Sequence, residues 1–147
     1  MRKLLIAIGV ALGLSTAMMS CDRTNKDVSV LPEQAQATLK NDFKTDVSNI
    51  EIDKKRGVVQ EYEVRLMNGT KVDFDTLGVW THIDVMPGKE VPNTLIPDTI
   101  LNHIRANYPD VKISAIEKEP YGYEVELSND MELKFDQNGG FISRKAD

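Results

Sequence analysis

The sequence predicts an α+β fold: two tandem units, each a helix followed by an antiparallel meander, with their strands in one sheet and both helices on one face. Three observations predict it. The stretch Glu61–Trp80, EYEVRLMNGTKVDFDTLGVW, is echoed 61 residues later at Gly122–Phe141, GYEVELSNDMELKFDQNGGF, with eight identities in twenty ungapped positions. Within both stretches apolar residues alternate with charged ones, the period of a half-buried strand. Ahead of both, apolar residues recur every fourth position, the period of an amphipathic helix.

In chain order, the N-terminus MRKLLIAIGVALGLSTAMMSC has two cations, an apolar run from Leu4 to Leu14 and then small residues. The run is short for a membrane span and has the parts of a secretory signal, so residues 1–20 are excluded from the fold. Cys21 is the only cysteine. A lone thiol in an exported chain closes no internal disulfide, and lipidation after signal cleavage would remove the exposed thiol. The segment resembles the leader of bacterial lipoproteins, although Met18 and Met19 depart from the usual residues before the Ser–Cys pair. Ser15-x-Ala17 offers ordinary signal peptidase a competing site, which would leave a soluble periplasmic protein. Residues 21–29 read as a polar tether and 30–147 as one domain of two repeats, 30–86 and 95–147.

Leu31-Pro32-Glu33 and Ile96-Pro97-Asp98 each introduce a helix, with Ala35, Leu39 and Phe43 on one buried stripe and Ile100, Ile104 and Tyr108 on the other. Val47-Ser-Asn-Ile50-Glu and Ile113-Ser-Ala-Ile116-Glu read as matching first strands. The first unit then spends DKKRGVVQ where the second has KEPYG, which predicts a longer hairpin connection. Parity decides the next turn. A two-residue Asn68-Gly69 turn would put apolar residues of one strand on a face with charges of the other. A three-residue loop, Met67-Asn68-Gly69 with glycine left-handed, pairs Leu66 with Thr70, Val64 with Val72 and Tyr62 with Phe74. Ser128-Asn129-Asp130 likewise pairs Leu127 with Met131, Val125 with Leu133 and Tyr123 with Phe135. The turns Thr76-Leu77-Gly78 and Gln137-Asn138-Gly139 then set Trp80 opposite Phe74 and Phe141 opposite Phe135, so Trp80 is expected in the core. Beyond Trp80, His82, Ile83 and Val85 compete for burial and a bulge resolves them. MPGKEVPN, residues 86–93, connects the units.

The residues opposite the core face are Glu61, Glu63, Arg65, Lys71, Asp73 and Asp75 in the first unit, and Glu124, Glu126, Glu132, Lys134 and Asp136 in the second. That face is net acidic. Glu63 opposes Asp73, Arg65 opposes Lys71 and Glu126 opposes Glu132, and directly opposed like charges repel. Diagonal contacts, Arg65 to Asp73 and Glu63 to Lys71, would turn it into an ordinary solvated surface. Left open for a partner with a basic contribution, the same charges would steer the encounter. The candidate contact residues are Glu61, Glu63, Arg65, Asp73, Glu124, Glu126 and Lys134, with Tyr121 in the Pro120-Tyr121-Gly122 loop as the exposed aromatic.

Other chemistries find less support. The net charge is -5, and removing residues 1–20 takes away Arg2 and Lys3 but no acid, leaving about -7, unsuited to nucleic acid. With Cys21 at the anchor, His82 and His103 supply no nucleophile, base and orienting group together, and both read as incidental. Zinc spacing is absent, so no metal or other cofactor is expected. Glu63 and Asp73 on an exposed face form no cleft for acid and base catalysis. Asp136-Gln-Asn138-Gly139 lacks the calcium-loop spacing and reads as a turn.

A YEVxL strand followed by xFD and a glycine, in tandem units behind a lipoprotein-like leader, resembles the PepSY-like family, also called beta-lactamase-inhibitor-like, of Bacteroidetes envelopes. The resemblance covers Leu31 to Lys145. It implies two α/β units whose strands join into one curved antiparallel sheet with helices on the convex side, and a non-catalytic module that holds or inhibits a protein or peptide on its open face. No second cysteine is present for the disulfides of the characterised inhibitor. The alternative is an envelope structural or sensory module binding a small ligand or cation through the acidic face. The only membrane contact expected is the lipid anchor.

Overall fold

A computed structural model describes residues 24–146. The first helix, α1 (Glu33–Asp42), follows Pro32, which fixes the helical entry and lacks an N–H that would go unbonded there. Four strands come next: β1 (Val47–Lys55), β2 (Val58–Leu66), β3 (Lys71–Phe74) and β4 (Trp80–Asp84). The second half repeats the order: α2 (Asp98–Asn107) after Pro97, then β5 (Ile113–Glu119), β6 (Gly122–Leu127), β7 (Met131–Asp136) and β8 (Phe141–Ala146). All eight strands form one antiparallel sheet in sequential order, β1 to β8. The fold is therefore α+β, with an open sheet and two helices.

The registers follow from parity. Val64 faces Val72 and Tyr62 faces Phe74; Val125 faces Leu133 and Tyr123 faces Phe135. Gly69, at φ +85°, ends the first loop, and Asp130, at φ 63°, takes the same left-handed position in the second. In both loops an asparagine closes the turn: Asn68 Oδ1 accepts from Thr70 N–H and Asn129 Oδ1 from Met131 N–H. The following turns also match. Asp75 Oδ1 accepts from the N–H groups of Leu77 and Val79, and Asp136 Oδ1 from those of Asn138 and Gly140. The Asp136 loop is thus a turn whose carboxylate is engaged by backbone. β1 and β5 each bulge near their start, where Ser48 Oγ donates to Arg65 O and Ser114 Oγ to Glu126 O.

One apolar core lies between the sheet and both helices. Val64, Val72, Phe74, Ile83, Ile116, Val125, Leu133 and Phe135 are fully buried, against Ala35, Leu39, Ile100 and Ile104 of the helices. Each such side chain contributes roughly 1.5–3 kcal/mol when taken fully out of water. The halves meet where Ile83 pairs with Ile116, so the core runs through the junction.

The structure corrects the expectation for the first hairpin. DKKRGVVQ is not a longer connection: β1 and β2 are nine residues each and turn tightly at Arg56-Gly57. The extra residues lengthen the strands, which keep pairing up to Lys55 and Val58. Trp80 is buried as expected, but Phe141, though it faces Phe135, is 44% exposed. β8 is the edge strand of the sheet among the described residues. Ahead of α1, Asn25 runs along β1, its carbonyl accepting from Ile50 N–H and its own N–H donating to Asn49 Oδ1.

Candidate functional site

The sheet face opposite the helices carries the charges. A bulge between Phe74 and Asp73 skips Thr81, so Trp80 points to the core and His82 points out beside Asp73. The cross-strand registers then line up one row: Glu51, Glu63, Asp73, His82, Glu117, Glu124, Lys134 and Ser143, one residue per strand. At about 4.8 Å per strand, the row is over 30 Å long. Five of its eight members are carboxylates. A second row, Asn49, Arg65, Lys71, Asp84, Ala115, Glu126, Glu132 and Lys145, runs beside it.

Lys71 is the main compensating cation of the first half. Its Nζ lies 3.2 Å from both Glu63 Oε2 and Asp73 Oδ2. The opposed carboxylates Glu63 and Asp73 are thereby bridged and form no free acid and base pair. Of the two diagonals expected from sequence, Glu63 to Lys71 forms. Arg65 to Asp73 does not, because Arg65 lies along its own strand to Glu63, at 2.7 Å. Asp73 is the most buried charge on the face, 6% exposed, and its Oδ2 is also 3.4 Å from His82 Nδ1. Its Oδ1 is buried without a hydrogen-bond partner. Burial opposes the Asp73 carboxylate, but hydrogen bonds from His82 and Lys71 outweigh it and hold its pKa below the ordinary value. The same hydrogen bond, donated to Asp73, raises the pKa of His82, with help from the Glu117 charge and against desolvation. His82 therefore has a carboxylate partner on the face, which the sequence did not anticipate. Its role depends on the bulge that turns it outward.

Glu61 lies one pleat along from Glu63, opposite Asp53, and its pKa is raised by desolvation and by the charge of Asp73. In the second half Lys134 sits 3.3 Å from Glu124 and 3.6 Å from Glu132. Tyr121, at the β5–β6 turn, donates from its hydroxyl to Glu124 Oε2 at 2.9 Å, and Lys134 Nζ stands 5.8 Å from its ring centroid. Glu126 faces Glu132 as expected. The seven charged candidates therefore share one face, with Tyr121 at its margin, but in two groups: Glu61, Glu63, Arg65 and Asp73 on β2 and β3, and Tyr121, Glu124, Glu126 and Lys134 around β6 and β7. His82 and Glu117 link the groups and were not among the candidates. Cys21 lies outside the described residues.

His103 belongs to the helix layer, stacked on Phe141 at 4.6 Å and edge-on to Phe135. Lys118 covers the buried Trp80, its Nζ 4.0 Å from the ring centroid, and desolvation lowers its pKa. The helix layer also holds an open groove of about 910 Å³ between α1 and the start of β1, with Val28, Leu39, Phe43 and Met67 among its walls. On the open face the hollows are small: about 220 Å³ among Glu51, Asp53, Glu61 and Glu63, and about 70 Å³ beside His82 and Glu117. Among the described residues, no three acidic, histidine or cysteine side chains converge closely enough to hold a metal ion.

A family model described as "Putative beta-lactamase-inhibitor-like, PepSY-like" matches residues 17–61 and 60–143. Among solved structures, a "putative periplasmic protein of unknown function" from Bacteroides vulgatus is 36% identical over 83% of this chain and 97% of its own, with a TM-score of 0.76. A "putative calcium-regulated periplasmic protein" from Bacteroides thetaiotaomicron is also 36% identical, over 80% of this chain and 92% of its own, at 0.74. Another periplasmic protein from Bacteroides vulgatus is 33% identical over 85% and 98%, at 0.74. No curated protein matches the chain. These relatives are described as periplasmic, and among the described residues no helix is long and apolar enough to cross a membrane.

Proposed function

The chain belongs to the PepSY-like, beta-lactamase-inhibitor-like family, and from that premise we propose that it is a non-catalytic module of the cell envelope that holds a protein or peptide on its open sheet face. The observation that carries this reading is the acidic row, with carboxylates at five of its eight places, which crosses the sheet on the face the helices leave uncovered. A net negative charge along such a line attracts a basic partner and orients it. Within the same reading, the halves are two copies of one unit; the matched bulges, serine contacts and aspartate turns support this. Residues 1–20 act as a signal peptide and Cys21 as the lipid attachment site.

Pull-down from an envelope extract tests the reading. A stoichiometric protein retained by the native chain and lost with Glu63→Lys plus Glu124→Lys is the expected result. Equal retention by the double variant would remove the face from consideration.

A second reading has a specific observation in its favour. The relative described as calcium-regulated shares the fold at 36% identity, and Glu51, Asp53, Glu61 and Glu63 surround one hollow here. On that reading the face takes a small ligand or cation in a structural or sensory role. Thermal stabilisation by divalent cations, in a chain that retains no protein from the extract, would favour it.

A further inference from the structure

We infer that His82 is a proton-operated gate at the centre of the acidic row, so that a basic segment laid across the sheet binds in competition with the proton on this imidazole. The inference rests on the reading of the open face as the docking surface and adds how that surface is regulated.

The geometry supplies the argument. His82 is the only member of the row whose charge changes near neutral pH. It stands between carboxylates on both neighbouring strands, Asp73 on β3 at 3.4 Å and Glu117 as its register partner on β5. The other charges near it are Lys71, already shared between Glu63 and Asp73, and the carboxylates Glu124, Glu126 and Glu132 around the small hollow beside it. Asp73 is nearly buried and has one oxygen with no partner, so the carboxylate depends on the two cations at its other oxygen. Protonated His82 is one of them. When it is protonated, the middle of the row is locally compensated. When it is neutral, two neighbouring carboxylates are left with less compensation, in line with the others.

A lysine or arginine side chain arriving at this point supplies the same positive charge from outside. Two cations at one carboxylate pair repel, so a docked basic segment disfavours the protonated imidazole. Linkage makes the effect reciprocal: affinity for the segment rises as pH rises through the titration of His82. Asp73 shifts this titration upward from the ordinary histidine value.

The test uses the purified protein and an acetylated octalysine peptide at low salt between pH 5.5 and 8.5, with affinity from calorimetry and imidazole titration from NMR. Neither the peptide nor ordinary carboxylates titrate in that range. The expected result is a dissociation constant that tightens with pH, by at most about tenfold per unit for one proton. The His82 titration should move to lower pH with peptide bound. His82→Gln should flatten the pH dependence and His103→Gln should leave it unchanged. Binding that is independent of pH, with the His82 titration unmoved, overturns the gate and leaves the docking face standing. No binding at any pH overturns both.

Discussion

Asp73 and His82 form a pair on the open face through which pH acts on the stability of the fold. Asp73 has a folded pKa below its unfolded value, so its contribution is present above about pH 4 and lost as pH falls through the folded value. His82 is raised, so its contribution is complete below about pH 6.5 and lost as pH rises through the folded value. Both act in full only between those limits. Urea unfolding at pH 6 and pH 8.5 should show the native chain losing about 0.5–1 kcal/mol at the higher pH, a modest value because the pair is partly solvated. His82→Gln should remove that difference; an unchanged difference would locate the pH dependence elsewhere. The sequence listed Asp73 as one outward acid among several and took His82 for a bystander. Their pairing depends on one skipped residue, Thr81: the competition of His82, Ile83 and Val85 for burial pointed to a bulge there, as found, but not to the carboxylate it sets beside His82.

At the scale of the element, turns were the most legible part of the chain. A slip of one residue would have carried every apolar side chain of a strand to the charged face, so parity left one register for each hairpin. Two of these turns give opposite predictions. Gly78, at φ +83°, meets the first turn of α1 so closely that an added Cβ would lie 2.8 Å from both Ala35 N and Pro32 Cβ. Gly78→Ala should therefore cost about 1–3 kcal/mol in chemical denaturation, from the left-handed backbone and the contact together. Asp130 takes the left-handed position that Gly69 takes in the other unit, and its side chain is exposed. Asp130→Gly should raise stability by about half a kcal/mol, read as a higher urea midpoint. The length of the first hairpin was not legible. Past Tyr62 toward the turn, β1 and β2 extend where few apolar positions mark a buried face, so alternation gave nothing to count.

For the whole molecule, the echo between two stretches of sequence anticipated the α+β fold and its single sheet but not the surroundings of matching residues. Trp80 and Phe141 occupy matching places in their units, yet one is core and the other is half in water, because β4 has β5 beside it and β8 is an edge. A strand's place in the sheet is decided by the complete chain. The groove beside α1 escaped notice for a related reason, since Val28, Leu39, Phe43 and Met67 come together only after the N-terminal segment folds back against β1. That return also bears on attachment. Asn25 is fastened to β1 four residues after Cys21, a reach of at most about 14 Å. Metabolic labelling with a fatty acid should mark the native chain and leave Cys21→Ala unmarked; equal labelling would refute the anchor. If the label is found, the β1 edge is held close to the bilayer while β8, seven strands away, stands farthest along the sheet from the attachment point.

The sequential order of the strands has a kinetic meaning too. Because every strand bonds to the one made just before or after it, no pairing waits for a distant part of the chain, and little loop entropy is spent before contacts repay it. A chain that emerges progressively can close this sheet strand by strand, by hairpins within each half and across α2 between β4 and β5, leaving few unpaired strands exposed to aggregation.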